Sequence, residues 1–456
     1  MSSASPTATI LTPPAPQKRI LSLDQFRGYT VVGMLLVNYL GFDCVPRILT
    51  HTHDYNSYAD TIMPHFLFAV GFAFRLTFGR RVQEQGVGSA YGRVVRRLLG
   101  LVLVAIVVYS PGRLADSWEG LQELGFGTIA AKVLKRSWFQ TLLPIAATSL
   151  WLVPVIRAGF GVRFAWMVMS AAIPVAIAHW NFTWNNTDPD GIDGGPLGFL
   201  TWTVPATLGT FACDAVAAAL ASGRRPPLLK MTLWSFVIMA MAWVMSCGTR
   251  MYDVPPSQRE ALKDQKLAER PAFPTMEHVR AHFQKPWPEL LAEPPFVHPP
   301  WGPIDDAPGY ADLEVAPEGE TDREKNARLS ELRRLKRLHS VDPSNGPYFR
   351  KWNYWMMSQR GGNLSYPLFA GGFSLFVYVL FYIACDMWGW RLAFFQTFGT
   401  NALLAYVLHG MVGRAVKAFV PGDAPAAYVW SSVVVYFAIN WVILRHFEKQ
   451  KVFLRV

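Results

Sequence analysis

The chain has 456 residues, of which 51% are hydrophobic and 16% are charged, and its formal net charge is +11. Soluble domains carry about 25% charged residues, so this composition excludes a disordered chain, a coiled coil, a small disulfide scaffold and a typical soluble two-domain enzyme. The arginines lie between apolar runs and do not form one surface patch, which argues against nucleic acid as a partner. The long, nearly uncharged apolar runs are typical of a polytopic membrane protein.

The apolar runs predict a bundle of transmembrane helices. We expect an all-α polytopic fold with about ten spans, each long enough to cross roughly 30 Å of hydrocarbon as an α-helix. Seven spans precede one long polar insertion and three follow it. The predicted segments are Phe26–Phe42, Asp60–Phe78, Val94–Tyr109, Trp138–Ile156, Phe164–Trp180, Leu197–Leu220, Met231–Cys247, Tyr366–Trp388, Phe394–Val412 and Ala427–Arg445.

Polar segments divide the chain. Residues 1–19 are rich in Ser, Thr and Pro and are expected to form a flexible tail. Residues 20–250 carry the first seven helices and the candidate active site. Residues 364–456 carry the last three helices and a terminal tail. Between them, the polar, Pro-rich insertion 251–363 is expected outside the cytoplasm, because the helices alternate in direction.

Basic residues in the short loops predict the orientation of the bundle. The loop 181–196 holds three aspartates and no Lys or Arg, whereas the loops assigned to the other side are basic. Lys132, Lys135 and Arg136 break this pattern, which an amphipathic helix on the outer surface would explain. We therefore expect an integral protein of the inner (plasma) membrane, embedded in lipid, with both termini in the cytoplasm. The oligomeric state is left open, and a homodimer is one possibility.

The hairpin between the first two helices holds the richest group of polar residues. Asn38 lies near the end of the first helix, His51 and His53 lie in the loop, and Asp60 opens the second helix. Histidine suits acyl and proton transfer near neutral pH, a carboxylate can orient its ring, and an amide can donate to an oxyanion. Two alternatives stay open. The loop could be an ordinary solvated one with Asp60 as a helix cap, or His51, His53 and Asp54 could bind zinc without a clear fourth ligand.

Two further groups of residues are candidates for binding. Asn401 and His409 share part of a helix face, where they line a pocket or form hydrogen bonds between helices. Arg75 and Arg97 delimit a cluster that could hold phosphates, or could serve only as a topology signal and a contact with anionic lipid. The four cysteines have no CxxC spacing and are predicted to be core thiols, so we predict no metal.

Several motifs together resemble the heparan-α-glucosaminide N-acetyltransferase family of polytopic membrane acyltransferases. They are Leu-Asp-Gln-Phe-Arg-Gly at 23–28 with Asn38 after it, Ala-Asp at 59–60 before a Phe-rich helix, and Gly-Thr-Asn-Ala at 399–402 before His409. The resemblance implies that acetyl-CoA is the acyl donor on the cytoplasmic side. It also implies a sugar amine as acceptor on the far side, and an outer-loop histidine as covalent carrier or base.

Carried over residue by residue, the resemblance fits Asn38 and His51 best, with Asp60 in support and Asn401 and His409 matching less closely. Gln140 matches the Gln of a Gln-Arg pair in the family, whereas the Arg has no counterpart here. The two histidines, His51 and His53, compete for the key position.

We therefore expect a membrane acyltransferase acting on an amino sugar or glycan, with His51 as carrier or base. Two alternatives are an O-acyltransferase of a surface polysaccharide and a transporter or flippase. A coupled carrier should have carboxylates in the middle of its spans. Asp214 and Asp386 are expected near helix ends, and this favours the enzyme.

Overall fold

A computed structural model describes residues 20–51, 56–186, 191–246, 354–355 and 357–454, together with the isolated positions 280, 284, 286, 319 and 328. Within these ranges the chain is all-helical, without a strand, as the sequence predicts. Most of the predicted insertion 251–363 lies outside the described residues, as do His53, Asp54 and the tail 1–19.

Thirteen α-helices are used below, numbered in chain order through the described ranges. They are α1 (Leu21–Tyr39), α2 (Tyr58–Gln85), α3 (Val87–Val108), α4 (Trp118–Lys132), α5 (Leu142–Leu152), α6 (Phe160–Ala176), α7 (Ala178–Asn186), α8 (Phe199–Ala221), α9 (Leu228–Ser246), α10 (Ser365–Phe381), α11 (Ala393–Thr400), α12 (Ala402–Lys417) and α13 (Ala426–Lys449).

Five of the helical segments in the described ranges are long and apolar enough to cross a membrane. A sixth is obtained if the bent pair Trp118–Ser137 and Leu142–Val155, which meet at 81°, forms one span. The chain is thus a helical membrane protein by length and composition, while the predicted count of about ten spans stays a prediction. The five segments are Tyr58–Gln85, Gly195–Ala221, Leu228–Ser246, Ser365–Met387 and Ala426–Lys449.

Two predicted spans are broken in the structure: Phe164–Trp180 between α6 and α7, and Phe394–Val412 between α11 and α12. The predicted span Phe394–Val412 is broken at Asn401, which separates α11 from α12. The break follows from the Asn401 side chain, whose Nδ2 donates to the Val452 carbonyl at 3.0 Å and whose Oδ1 accepts from Leu454 N at 3.1 Å. As expected, the loop carrying Lys132 contains a helix, α4, and none of its residues is buried, whereas Lys135 in the following segment is buried.

Close helix contacts set the centre of the bundle. A Cβ at Gly71 of α2 would overlap the Ala206 carbonyl of α8, and one at Gly209 of α8 would overlap the Phe68 carbonyl of α2. Only glycine lets the two backbones approach this closely, as is common where small residues line helix interfaces in membranes. Because α2 carries Asp60 at its first turn, this packing fixes the position of the candidate site.

The two ends of the bundle differ in chemistry. At one end, Asp386 caps α1 by accepting from Leu21 N at 3.1 Å and Ser22 N at 2.9 Å. The last residues of α2 lie at this end too, where they share a cavity with Ile20 at the start of α1. We call it the arginine end. The opposite end, where α1 finishes and α2 begins, is called the histidine end after His51.

Candidate active site

A capping box opens α2 and holds Asp60 in place. Asp60 is 1% exposed, and its Oδ2 accepts from Ser57 N at 3.1 Å and from Ser57 Oγ at 2.9 Å. Ser57 is the N-cap, and Asp60 is the third residue of the helix. The local sequence explains this geometry, because a Ser followed three residues later by an acidic residue satisfies the free N–H groups of a first turn. The cap uses Oδ2 of Asp60 and leaves Oδ1 for another partner.

That partner is His51. Its Nδ1 lies 2.8 Å from Asp60 Oδ1, and its side chain is 31% exposed. An ionised carboxylate only accepts hydrogen bonds, so Nδ1 carries the proton and Nε2 of the neutral ring carries the lone pair. Burial lowers the pKa of His51, but the hydrogen bond and charge of Asp60 and the charge of Asp193 outweigh it, so the pKa is raised above its ordinary value.

A second buried carboxylate, Asp193, lies beside this pair. It is 1% exposed, its Oδ2 accepts from Thr141 N at 3.0 Å, and its Oδ1 accepts from Gln359 Nε2 at 3.1 Å. Gln359 also lies close enough to His51 to raise the pKa of its imidazole. Burial raises the pKa of Asp193 to about 6, although the two hydrogen bonds and the charge of His51 act in the opposite direction. The loop 181–196 was predicted only as acidic, and neither Asp193 nor Gln359 was predicted as a site residue.

Backbone strain is concentrated at the same place. Among the described residues, three that are not glycine have positive φ, and Thr141 (29°) and Asp193 (53°) are two of them. These two residues are hydrogen-bonded to one another. Such conformations cost about 1–3 kcal/mol each and tend to cluster at functional sites. Gln140, predicted to bind a substrate or cofactor, precedes Thr141, and its Nε2 donates to the Arg136 carbonyl.

Aromatic residues of α8 and α10 hold the backbone of both acidic residues from within the bundle. The Tyr366 hydroxyl donates to the Asp60 carbonyl, and Trp202 Nε1 donates to the Asp193 carbonyl at 2.9 Å. The two rings pack edge to face with centroids 5.4 Å apart. One pair of packed aromatic rings therefore anchors the backbone of Asp60 and of Asp193, although the two residues are more than a hundred positions apart in sequence.

Asn38 and His409 form a second polar pair. Asn38 Nδ2 lies 3.4 Å from His409 Nε2, and His409 Nδ1 contacts the Tyr406 carbonyl. A carbonyl only accepts, so Nδ1 carries the proton and Nε2 accepts from Asn38. The structure thus pairs Asn38 with His409 and not with His51. Tyr406 also packs edge to face on Tyr109, with centroids 6.3 Å apart.

The predicted arginine cluster divides into two groups. Arg75 Nε donates to Asp214 Oδ1 at 2.7 Å, and Arg163, only 1% exposed, donates to Asp214 Oδ2. Arg75 is thus held in a charge network. Asp214 lies seven residues before the end of α8, and Asp386 lies one residue before the end of the helical segment Tyr382–Met387.

A cavity of about 440 Å³ lies at the arginine end. Four arginines of α1, α2 and α3 and two acidic residues line it, together with small and apolar side chains. Arg97 is exposed and lies in the positive field of Arg27 and Arg81, two of the lining residues. The charged lining residues are Asp24, Arg27, Arg80, Arg81, Glu84 and Arg93.

The remaining predicted site residues have other placements. Both polar atoms of Asn401 bind the segment after α13, at the arginine end and away from His409. His53 lies outside the described residues, so the zinc alternative with His51, His53 and Asp54 remains open. Within the part of the chain that the structure describes, no group of three or more His, Cys, Asp or Glu side chains could hold a metal ion.

No protein-family model matches this chain, and no curated protein is similar enough in sequence to be counted as a relative.

Proposed function

We propose that the chain is a membrane acyltransferase that moves an acetyl group from acetyl-CoA at the arginine end to an amino sugar or glycan at the histidine end. The observation that carries this proposal is the 2.8 Å contact between His51 Nδ1 and Asp60 Oδ1. A carboxylate that binds one ring nitrogen fixes the tautomer, directs the other nitrogen outward and stabilises the positive charge that the ring gains. This is what nucleophilic or general-base catalysis by histidine needs.

In the covalent route, His51 Nε2 attacks the thioester carbonyl carbon and the C–S bond breaks, so the thiolate leaves and an acetyl-imidazolium forms. The acceptor amine then attacks the same carbon, the C–N bond to the ring breaks, and the amine proton is lost to a base. In the direct route, Nε2 takes the amine proton while the amine attacks the thioester carbonyl carbon, and the C–S bond breaks so that the thiolate leaves. Asp60 has the same role in both, since the ring becomes positive in each.

Two buried side chains beside the pair support a polar acceptor. Asn56 is fully buried, and neither of its side-chain polar atoms has a hydrogen-bond partner among the described residues. The Oε1 atom of Gln359 is also buried without a well-aligned donor. Buried polar groups normally find partners. Hydroxyl and amino groups of a sugar would supply them.

The basic cavity supports the donor half of the proposal. Guanidinium groups bind phosphate bidentately, and a coenzyme A nucleotide carries several phosphates. In this arrangement Arg27, Arg80, Arg81 and Arg93 are the phosphate ligands, with Arg97 nearby, while Arg75 has a structural role. The arginine end is then cytoplasmic, with both termini, and the remaining apolar helices bring the number of spans to about ten in a plasma (inner) membrane.

The test is incubation of the purified full chain in detergent with acetyl-CoA labelled in the acetyl group, without acceptor. We expect label on the wild type and on His53→Ala, and none on His51→Ala. Acetyl-CoA binding without label in any protein would favour the direct route. If neither binding nor label is detected, the proposal fails and a transporter becomes the better hypothesis. Competing amino and hydroxyl acceptors then separate N- from O-acylation.

A further inference from the structure

The strained loop before α8 carries an ionisable group for which the scheme above gives no role. Asp193 is 1% exposed, and both of its carboxylate oxygens accept hydrogen bonds, from Thr141 N and Gln359 Nε2. Burying a carboxylate costs free energy even when it is hydrogen-bonded. Asp193 is buried in spite of that cost, and both Thr141 and Asp193 have positive φ.

The surrounding backbone leaves the loop little freedom to move. Gly194 N donates to the Arg360 carbonyl at 3.1 Å, and Ile192 N donates to the Lys135 carbonyl at 3.1 Å. A Cβ at Gly362 would lie 2.6 Å from the Gly194 Cα. The loop before α8 is therefore clamped against the segment that carries Gln359, and Asp193 cannot turn away from Gln359 without breaking these contacts.

We infer that Asp193 is a positioning residue of the His51 site, which holds Gln359 against the imidazole and adds a second negative charge to that of Asp60. The inference rests on the proposed function only in taking His51 as the ring that handles the acyl group. Asp60 holds Nδ1 directly, whereas Asp193 acts through Gln359 and through its charge. The imidazole of His51 therefore accepts a proton easily at Nε2, and its orientation stays fixed while it does so.

The other ionisable groups around Asp193 do not supply the negative charge that Asp193 adds beside His51. His51 and Asp60 are the groups whose charges act on it. Tyr109 and Tyr366 also lie in its field, but phenols are neutral near pH 7. Lys135 and Arg360 contact the loop through their carbonyls, and the Lys135 ammonium lies 4.6 Å from the centre of the Trp184 ring.

The test follows the protonation of His51 directly, without acetyl-CoA. Diethyl pyrocarbonate modifies neutral imidazole, and mass spectrometry of the full chain in detergent gives the modified fraction of each histidine against pH. The 31% exposure of the His51 side chain leaves it open to the reagent. Exposed His446 at the end of α13 serves as an internal reference. Asp423→Asn is the matched control, because Asp423 is exposed and lies beside Gly422, whose carbonyl accepts from Asp43 N near the histidine end.

We expect half-modification of His51 above pH 6.5 in the wild type, and a fall of roughly half a pH unit or more in Asp193→Asn. Asp423→Asn should leave the His51 curve unchanged, and His446 should behave alike in all three proteins. An unshifted His51 curve in Asp193→Asn overturns the inference, even if that variant transfers acetyl slowly. A shifted curve in a protein that never accepts label supports the inference while the proposed function fails.

Discussion

Asn38 Nδ2 lies 3.4 Å from His409 Nε2 and joins the end of α1 to the middle of α12. The two residues are 371 positions apart in sequence. Each was predicted as a site residue, but in separate groups. Their pairing makes them a single unit at the histidine end.

We expect the effects of substituting Asn38 and His409 to be coupled. Loss of a hydrogen bond of this kind should lower the acetyl-transfer rate roughly two- to tenfold in Asn38→Ala and in His409→Ala. The double variant should be about as slow as the slower single one, since each substitution already removes the pair. Rates of label transfer in the four proteins of the cycle provide the measurement. Fully additive effects would show that the two residues act independently.

The rate of label transfer should rise with pH and level off above the raised pKa of His51. Only the neutral ring is a nucleophile or base, and the charge of Asp60 favours the protonated form. Asp60→Asn should therefore move the midpoint to lower pH, and it should lower the plateau by about a hundredfold or more, because the ring loses its orienting carboxylate.

Ser57→Ala is the control for this experiment. It removes the capping hydroxyl of α2, which also donates to Asp60 Oδ2, but keeps the Ser57 N donor to Oδ2 and the His51–Asp60 Oδ1 contact, so it should cost about 1 kcal/mol of stability and move the pH midpoint far less than Asp60→Asn does. A midpoint shift as large as that of Asp60→Asn would point to helix fraying as the cause.

Asp193→Asn should stabilise the protein at neutral pH. Burial raises the pKa of Asp193 from 3.8 to about 6, so ionisation costs folding free energy fully above about pH 6, and the cost vanishes below about pH 4. We expect a gain of roughly 1–3 kcal/mol above pH 6, seen as a higher thermal midpoint in detergent, and no gain below pH 4. The new amide could also donate to the buried Gln359 Oε1. If the free energy of unfolding differed between Asp193→Asn and the wild type by the same amount above pH 6 and below pH 4, the burial of a charged Asp193 would be contradicted.

Gly71→Ala should destabilise the bundle, because its Cβ would overlap the Ala206 carbonyl. Overpacking against a backbone atom costs about 1–3 kcal/mol. Gly79 lies in the same helix with nothing within 4 Å of an added Cβ, so Gly79→Ala should be neutral or stabilising by up to about 1 kcal/mol. Thermal unfolding of both variants in detergent gives the comparison. Similar losses of stability in both variants would mean that the substitutions destabilise helix α2 itself and not its contact with α8.

Asp214→Asn should be among the most damaging conservative substitutions at the arginine end. It removes the carboxylate shared by Arg75 and by Arg163, which is buried, and leaves the Arg163 guanidinium without a counter-charge. The expected loss is at least about 2 kcal/mol in thermal or denaturant unfolding. Glu84→Gln breaks the exposed pair with Arg80 and should cost no more than about 1 kcal/mol. Equal losses of stability in the two variants would mean that the network around Asp214 stabilises the protein no more than an exposed ion pair does.

Much of the local structure was determined by the sequence alone. Long apolar runs had to become helices, since a backbone in hydrocarbon must satisfy its hydrogen bonds internally, and five helical segments of the described ranges are long and apolar enough to cross a membrane. The cap of α2 is equally local, because Ser57 and Asp60 are three residues apart and form the hydrogen bonds of the capping box between themselves. Placing Asp60 close to His51 also follows from one short hairpin.

Only the tertiary structure decided which distant groups meet. Asp193, Thr141 and Gln359 come from three segments, and no periodicity or spacing in the chain links them. The break at Asn401 arises from hydrogen bonds to the segment after α13, and Asn38 meets His409 only because α12 packs on α1. The apolar pattern specifies which segments are buried but not which helix lies beside which. That choice depends on side-chain shape, such as the glycines between α2 and α8, and on the few polar groups that must find partners away from water.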